Sequence, residues 1–355
     1  MSNHIQRTYS NSSPSNIYLI IMHTYVPHTA TLTPKAVSRM ISSLKTSSWH
    51  ARQTAVLNDI NCVEKSEMNG NTYILACDSN IYTAKVPDNK DVEIVQKDEK
   101  NHDLLNVHAY GSLRICHFYD KPLQIFDGEV LVYTSENKSN TTLRICHFAT
   151  SCKSARRGNK YFYVTSMCRL MLIDLPSFSE TQLSDHIDDF CVTHSDSIMA
   201  IDSDGKMQWL ASTTKTATDA RSYRCMTAAG SMCVAAFAYV ENLNYDVCVY
   251  STGSCTPVSK VSIKVNSDRN TIKYLRAAIF GKLALIVAAR VVGMLDFMYI
   301  DKGQISVVRE AVYMHDDNGT NVTNGMLLRY DRNAGKKLDL LVYGYKFVVS
   351  VIIAI

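Results

Sequence analysis

The sequence predicts an all-β fold that is assembled from repeated units of short strands. Three observations lead to this prediction. Tyr, Val, Ile and Thr are frequent, and long helical patterns are rare. From residue 59 onward, short apolar runs alternate with turn residues. The hexapeptide LRICHF occurs at 113–118 and again at 143–148, which indicates equivalent strands in successive units.

Paired apolar runs predict seven β-hairpins along the chain. They join 72–77 with 81–86, 129–134 with 142–148, 161–165 with 169–175, 197–201 with 206–210, 232–240 with 245–250, 283–288 with 293–299, and 338–343 with 347–352. Weaker runs between them, such as 92–96, 257–265 and 304–309, are predicted to be the outer strands of the units.

The spacing of the hairpins indicates the architecture. Residues 60–355 shared among seven units give about 42 residues each, within the ~40 to 50 residues of four-stranded propeller blades. This length favours a β-propeller over a sandwich. The predicted number of blades is seven. Eight blades are the alternative, because 104–108 and 112–118 could form one more hairpin.

The clearest unit lies in the middle of the chain, at Ser195–Leu210. An apolar run leads into the loop Asp202–Gly205, whose glycine tolerates positive φ, and a second run places Met207 and Trp209 on one face. The stretch resembles a blade of WD-repeat and quinoprotein-like β-propellers, in which the Trp packs between blades. The matching letters are Ile201, Asp202, Gly205, Lys206 and Trp209. No His-Gly or Trp-Asp signature occurs in the chain.

Two long apolar stretches need burial. The chain ends in FVVSVIIAI at 347–355, and the resemblance implies that a segment near 54–65 pairs with it to complete the last blade. The stretch 281–300 is interrupted by Arg290, Gly293 and Asp296, which favours a buried hairpin over a membrane span.

Residues 1–58 are predicted to form a basic arm ahead of the propeller at 59–355. The arm has five Lys and Arg and no Asp or Glu, whereas the rest of the chain is close to neutral. Thr33 and Pro34 open a predicted helix at about 34–45. Its apolar stripe, a candidate interaction surface, consists of Val37, Met40, Ile41 and Leu44. The arm could dock on a partner or be an organellar transit peptide, and the neutral body gives no strong nucleic-acid signal.

The eleven cysteines include no CxxC pair, so neither a zinc ribbon nor a thioredoxin-type site is expected. Buried reduced thiols in a reducing compartment are the favoured interpretation. The alternative is a secreted disulfide protein, for which the sequons at Asn11, Asn137, Asn140, Asn318 and Asn321 would be suitable.

Three groups of residues could carry chemistry. The Cys-His pairs at 116–117 and 146–147 resemble metal ligands, but adjacent strand residues point to opposite faces. The clusters at 185–194 and 315–317 fit solvated acidic loops better than metal loops. The basic run at 153–160 is a candidate contact for phosphate or an acidic partner, through Lys153, Arg156, Arg157 and Lys160, or a localisation signal.

No P-loop, nucleophile elbow, HExxH or dinucleotide turn is present. We therefore expect no catalytic residues, metal or cofactor. The predicted function is a non-catalytic scaffold that binds protein partners through its propeller faces, in the cytoplasm or nucleus. The alternatives are a propeller-class hydrolase or lyase with polar residues at the central channel, and an organellar location if residues 1–58 are a transit peptide.

Overall fold

The computed structural model describes residues 42, 52–53, 60–65, 72–77, 80–85, 93–99, 104–118, 121–138, 154–210, 215–217, 222–239, 243–265, 272–280, 283–290, 294–312, 323–331, 337–344 and 347–354. Within these ranges the chain forms 28 strands. They assemble into seven four-stranded antiparallel sheets, so the all-β prediction is confirmed. Of the predicted helix at 34–45, only Ser42 falls within the description, where it is helical and exposed.

The first fourteen strands, in chain order, are β1 (Arg52–Gln53), β2 (Ile60–Lys65), β3 (Thr72–Cys77), β4 (Asn80–Lys85), β5 (Glu93–Glu99), β6 (Leu104–Tyr110), β7 (Leu113–Phe118), β8 (Pro122–Asp127), β9 (Val130–Lys138), β10 (Ser154–Arg157), β11 (Lys160–Val164), β12 (Leu170–Asp174), β13 (Ser179–Ser184) and β14 (Ile187–Val192). The other fourteen are β15 (Ile198–Asp202), β16 (Lys206–Trp209), β17 (Lys215–Ala217), β18 (Tyr223–Ala229), β19 (Met232–Tyr239), β20 (Asn244–Ser251), β21 (Pro257–Lys264), β22 (Ile272–Phe280), β23 (Leu283–Arg290), β24 (Met294–Asp301), β25 (Gln304–Val312), β26 (Thr323–Asp331), β27 (Lys337–Gly344) and β28 (Phe347–Ala354).

Six sheets are meanders of consecutive strands, and the seventh joins the two ends of the described chain. Sheets 1 to 6 contain β2–β5, β6–β9, β10–β13, β14–β17, β18–β21 and β22–β25. Sheet 7 has the order β1-β28-β27-β26. In it, Arg52 lies opposite Val348 and Gln53 opposite Phe347. The predicted pairing of the two ends is therefore present, but it uses residues just before 54–65, because part of that segment starts sheet 1 as β2.

The first strands of sheets 1 to 6 and β26, which is counted here as the first strand of sheet 7, lie side by side. β2 contacts β6, β10 contacts β14, β14 contacts β18, β18 contacts β22, β22 contacts β26, and β26 contacts β2. Hydrogen bonds from β6 to β10 connect sheets 2 and 3: Asn106 Nδ2 donates to Ser154 Oγ over 3.2 Å. Each sheet therefore meets the next through its first strand.

Six of the seven predicted hairpins are present. In the seventh, 129–134 belong to β9, which pairs with β8, whereas residues 142–148 lie outside the described residues, so that pairing stays a prediction. Sheet 2 also contains the hairpin of β7 and β8, which the sequence did not predict. The strands 104–108 and 112–118, considered for an eighth blade, are β6 and β7 of the same sheet. The second strand of sheet 3 is β11, and the second LRICHF copy, at 143–148, lies outside the described residues.

The central hairpin of β15 and β16 has the geometry that its sequence predicts. Gly205 has φ 78°, and its N–H donates to the Asp202 carbonyl over 2.9 Å. The Asp202 carboxylate accepts the N–H of Asp204 at 3.1 Å and of Lys206 at 2.8 Å. Trp209 is 2% exposed and donates its indole N–H to the Ser254 carbonyl in sheet 5 over 3.0 Å. The Trp thus packs between sheets, as the resemblance implied.

The core lies between successive sheets. A large apolar cluster joins sheets 5 and 6 and includes Val247, Leu275 and Ile286. Every residue of β23 is buried, which confirms the buried hairpin predicted at 281–300. No helix within the described parts of the chain is long and apolar enough to cross a membrane.

A β-bulge recurs at the start of the first strand in six sheets. Each time, the pairing with the second strand skips one residue near the beginning of the first strand. The skipped residues are Asn61, Leu105, Asp188, Arg224, Lys273 and Asn324. Because these residues differ in chemistry, no shared residue type marks the bulge in the sequence.

Candidate functional site

The basic run lies on the hairpin of β10 and β11, not in a loop. Arg156 and Arg157 end β10, Gly158 takes φ 57° in the turn, and Lys160 begins β11. Lys153 lies outside the described residues. Glycine suits this turn because its backbone is left-handed. The hairpin therefore presents three cationic side chains at the end of sheet 3.

Two of these cations bind the neighbouring turn of sheet 4, at Thr193–Ser197. Lys160 Nζ is 2.7 Å from Asp196 Oδ2, and Arg157 Nε is 3.8 Å from Asp196 Oδ1. Arg157 also donates to the His194 carbonyl over 2.8 Å. Burial and, second, the Arg157 charge lower the pKa of His194. The side chains of Lys160 and Arg157 keep 41% and 28% of their surface exposed, so they remain open to a partner.

Arg156 points to the other neighbour. Its guanidinium carbon lies 5.7 Å from the centroid of the Tyr110 ring at the end of β6, a cation–π contact. Its Nη1 donates to the Gly158 carbonyl over 3.1 Å. The hairpin of sheet 3 is thus tied to sheets 2 and 4.

The same side of the molecule continues into sheet 5. The His194 backbone N–H donates to the Gly230 carbonyl over 2.9 Å, and Gly230 lies in the turn between β18 and β19. The turns between first and second strands of sheets 2 to 5 therefore lie together. We call this surface, formed by residues 110–113, 157–160, 193–197 and 229–232, the turn face. It is the candidate interaction site.

The apolar stripe of the predicted helix is the second candidate surface. Val37, Met40, Ile41 and Leu44 all lie outside the described residues, so this surface stays a prediction.

The first Cys-His pair is a packing element. His117 is fully buried, and its Nε2 lies 2.5 Å from the Tyr161 hydroxyl. Burial and, second, His108 lower the pKa of His117 to about 3. Cys116 is buried in another apolar cluster with Ile74 and Phe118. The second pair at 146–147 is not among the described residues, and the described part of the chain contains no group of three or more potential metal ligands.

The acidic cluster before the central hairpin is divided by the fold. Asp185 is exposed and accepts the Gln182 amide over 3.0 Å. Asp189 is buried, and its Oδ2 accepts the Tyr223 hydroxyl over 2.5 Å. His194 lies beyond the other end of β14, on the turn face. The cluster at 315–317 falls outside the description.

One polar group on the first strands was not expected from the sequence. His108 Nε2 lies 3.0 Å from Ser154 Oγ, which also accepts Asn106 Nδ2 at 3.2 Å. The His108 ring meets the Tyr161 ring edge-on at 5.3 Å. These residues are 46 and 48 positions apart in the chain, so no local motif marks them.

Comparison with known proteins finds no matching family model and no curated protein that matches. Solved structures do match. The N-terminal domain of Nup159 has a TM-score of 0.56 at 12% identity, covering 86% of this chain and 95% of that chain. A chain of the mitotic checkpoint complex has 0.60 at 10% identity, covering 87% and 96%. The C-terminal WD40 domain of Sif2 has 0.50 at 10%, covering 86% and 99%.

These likenesses extend over most of each chain, and at such low identities they concern the fold alone. They agree with the repeated four-stranded sheets and with the blade-like hairpin at Ser195–Leu210. This chain has a WD40-like β-propeller fold.

Proposed function

We propose that the chain forms a seven-bladed propeller. Each of the seven four-stranded sheets would be one blade. The contacts of consecutive first strands, including β26 with β2, support a ring around a central channel. The pairing of β1 with β28 would close it.

The propeller acts as a non-catalytic scaffold in an intracellular protein complex. The observation that carries this proposal is the fold, because the solved structures that resemble it include components of complexes. One is a chain of the mitotic checkpoint complex. Another belongs to the S. cerevisiae complex of dbp5 with nup159, gle1, ip6 and adp. A ring of rigid sheets offers broad surfaces built from turns.

On this scaffold the turn face is the favoured contact for an acidic partner. Arg156, Arg157 and Lys160 present positive charge there, and their contacts with neighbouring turns hold them in place. Such preorganisation lowers the entropy lost on binding. Residues 1–58 would add a second contact through the stripe of the predicted helix, or would target the protein to an organelle.

Affinity capture from the native cell with mass spectrometry tests the scaffold. The baits are the full chain, a chain lacking residues 1–47, and the double variant Arg157→Glu/Lys160→Glu. The truncation stops at residue 47 because β1 begins at Arg52. We expect the full chain to retain a stable set of proteins that the charge-reversed variant loses. Recovery of the full chain alone would contradict the proposal.

A matched variant separates binding from structure. Asp196→Asn weakens the ties of Arg157 and Lys160 to the next turn but leaves both cations in place. If the cations contact the partner, Asp196→Asn keeps the partners. If Asp196→Asn loses them as well, the cations act only by holding the turn face together.

A hydrolase is the second candidate function, and the His108–Ser154 contact favours it. Because Asn106 donates to Ser154 Oγ, the serine hydroxyl can donate its own proton to His108 Nε2 at 3.0 Å. This is the arrangement of a nucleophile and its base.

A fluorophosphonate probe tests this second candidate directly. An active serine would be labelled in the wild-type chain and not in Ser154→Ala, with Ser177→Ala, on an exposed turn, as the control. Absence of labelling in the wild-type chain would contradict the hydrolase, and the His108–Ser154 hydrogen bond would then only connect sheets 2 and 3.

The intracellular location is tested by counting thiols. Seven of the eleven cysteines are reduced thiols in the structure, which supports a reducing compartment. We expect all eleven cysteines of the native protein to react with a thiol reagent under denaturing conditions. Paired cysteines would instead favour the secreted alternative.

A further inference from the structure

The fourth strand of sheet 2 has an unusual outer edge. β9 ends the order β6-β7-β8-β9, so one side of its backbone is paired with no other strand of the described residues. Val130, Leu131 and Val132 are consecutive in it and are 65%, 47% and 40% exposed. Three neighbouring apolar side chains at a sheet edge form a surface that can accept another strand.

Four other outer strands are better protected where their side chains are described. Each exposes one large apolar residue among those side chains: Val95 on β5, Leu183 on β13, Val258 on β21 and Val307 on β25. β21 begins with Pro257 and exposes Lys260 and Lys264 along its edge. Proline and lysine are devices that keep an edge strand from pairing. β9 lacks them over its first three residues.

The beginning of β9 is also acidic. Asp127 and Glu129 precede the apolar residues, Glu136 follows them, and all three are exposed. In the register of β8 with β9, Asp127 lies opposite Val130. A segment with apolar residues would match the exposed valines and leucine of this edge, and Lys or Arg in the same segment would match its acidic residues.

The strand is held firmly from behind. The Tyr133 hydroxyl donates to Glu180 Oε2 over 2.8 Å, and Ser135 Oγ donates to both Glu180 oxygens at 3.1 Å. Glu180 belongs to β13 of the next sheet. The Tyr133 ring stacks on Phe178 with centroids 5.6 Å apart. An edge fixed in this way loses little entropy when it binds.

We propose that the outer edge of β9, which pairs with no other described strand, binds an extended segment of a protein partner by strand addition. This segment is rich in branched apolar residues with Lys or Arg beside them. This inference rests on the proposed scaffold function and gives it a second surface, away from the turn face. A second copy of this chain is the poorer occupant, because pairing two β9 edges would bring the Asp127, Glu129 and Glu136 side chains of both copies together.

Selection from a display library of random nonapeptides, panned on the full chain, tests the inference. We expect enrichment of sequences in which Val, Ile or Thr alternate with other residues and Lys or Arg is present. Their affinity should fall at least about tenfold for Leu131→Lys/Val132→Lys. It should be unchanged for Val258→Lys, which alters the edge of β21. Both substitutions are at exposed positions, so circular dichroism should show folded protein in each.

Methylating single backbone nitrogens of the best peptide distinguishes strand addition from contact through side chains alone. Strand addition predicts that methylation weakens binding at every second position, because alternate N–H groups face the edge. The inference would be overturned if the peptides bound the wild type and Leu131→Lys/Val132→Lys equally well, or if acidic peptides were enriched. It would also be overturned if methylation weakened peptide binding without this alternation, or if the wild-type chain formed a dimer that the double lysine variant does not form.

Failure here is distinguishable from failure of the scaffold. If native partners are captured equally by the wild type and by Leu131→Lys/Val132→Lys, and no peptide is enriched, the edge is not a binding site although the scaffold function stands. If no native partner is captured by any bait, the scaffold proposal itself fails.

Discussion

Single buried polar residues fix how neighbouring strands meet. Arg290 and Asp296 are 1% exposed, and two hydrogen bonds join them: Nε to Oδ2 at 2.7 Å and Nη2 to Oδ1 at 2.8 Å. The Tyr245 hydroxyl of sheet 5 donates to the same carboxylate. Burial and, second, the Asp296 charge raise the pKa of Tyr245. These contacts connect sheets 5 and 6.

Removing one partner of this pair should be costly. Arg290→Met leaves a buried carboxylate with the Tyr245 hydroxyl but without its counter-charge, and we expect a loss of about 3 to 5 kcal/mol in the free energy of unfolding. The double variant Arg290→Met/Asp296→Leu removes both charges and should recover most of that loss. Urea denaturation of the three proteins measures it. Equal losses in the single and double variants would contradict the expectation.

His117 should make stability depend on pH. Its pKa is lowered to about 3 in the folded protein, against about 6.5 in the unfolded chain. Between these values the unfolded state binds the additional proton. Stability is therefore complete above pH 6.5 and falls with decreasing pH, by up to about 1.4 kcal/mol per unit.

The comparison variant is His117→Gln, which cannot titrate. Between pH 6.5 and 5 the wild type should lose about 2 kcal/mol more than this variant in urea denaturation. His186→Gln replaces an exposed imidazole and should keep the wild-type dependence. Parallel pH profiles for wild type and His117→Gln would show that burial does not suppress the charge of this imidazole.

At the scale of strands and turns, the sequence predicts hairpins well where a turn residue is chemically required. Asp202–Gly205 was recognisable because the aspartate caps the turn and the glycine takes a left-handed conformation. An apolar run indicates a strand but not its partners. The run at 129–134 belongs to β9, which pairs with β8, and its predicted pairing with 142–148 falls outside the described residues. The recurrent bulges cannot be predicted from the sequence, because the skipped residues share a position in the backbone pairing but not a residue type.

Replacing the turn glycine tests this local requirement. Gly205→Ala places a Cβ on a backbone with φ 78°, and we expect a loss of about 1 to 2 kcal/mol in unfolding free energy. Ser203→Ala, at an exposed position of the same turn, should change it little. Chemical denaturation compares the two, and an unaffected Gly205→Ala would mean that the turn can adopt another type.

For the whole molecule, the number and order of the sheets follow from repeat length, whereas the surfaces follow from contacts between distant residues. The unit length of about 42 residues agrees with seven sheets. The basic run is visible in the sequence as a high density of positive charge, but its contacts with Asp196 and Tyr110 depend on how the sheets are arranged. The His108–Ser154 contact and the apolar edge of β9 likewise appear only when the strands are assembled.

The pairing of β1 with β28 yields the last prediction. The two residues Arg52 and Gln53 link the beginning of the described chain to β28 at its end. A chain starting at residue 48 keeps this strand, whereas a chain starting at residue 55 loses it and leaves the outer edge of β28 without its partner. Each kcal/mol lost lowers the unfolding midpoint by about 2 to 4 °C in a protein of this size or somewhat smaller. We expect the longer chain to unfold like the full protein and the shorter one to unfold several degrees lower in thermal circular dichroism. Equal midpoints for both truncations would show that the contacts of sheet 7 with sheets 1 and 6 are sufficient to hold it, and that the pairing of β1 with β28 contributes little to stability.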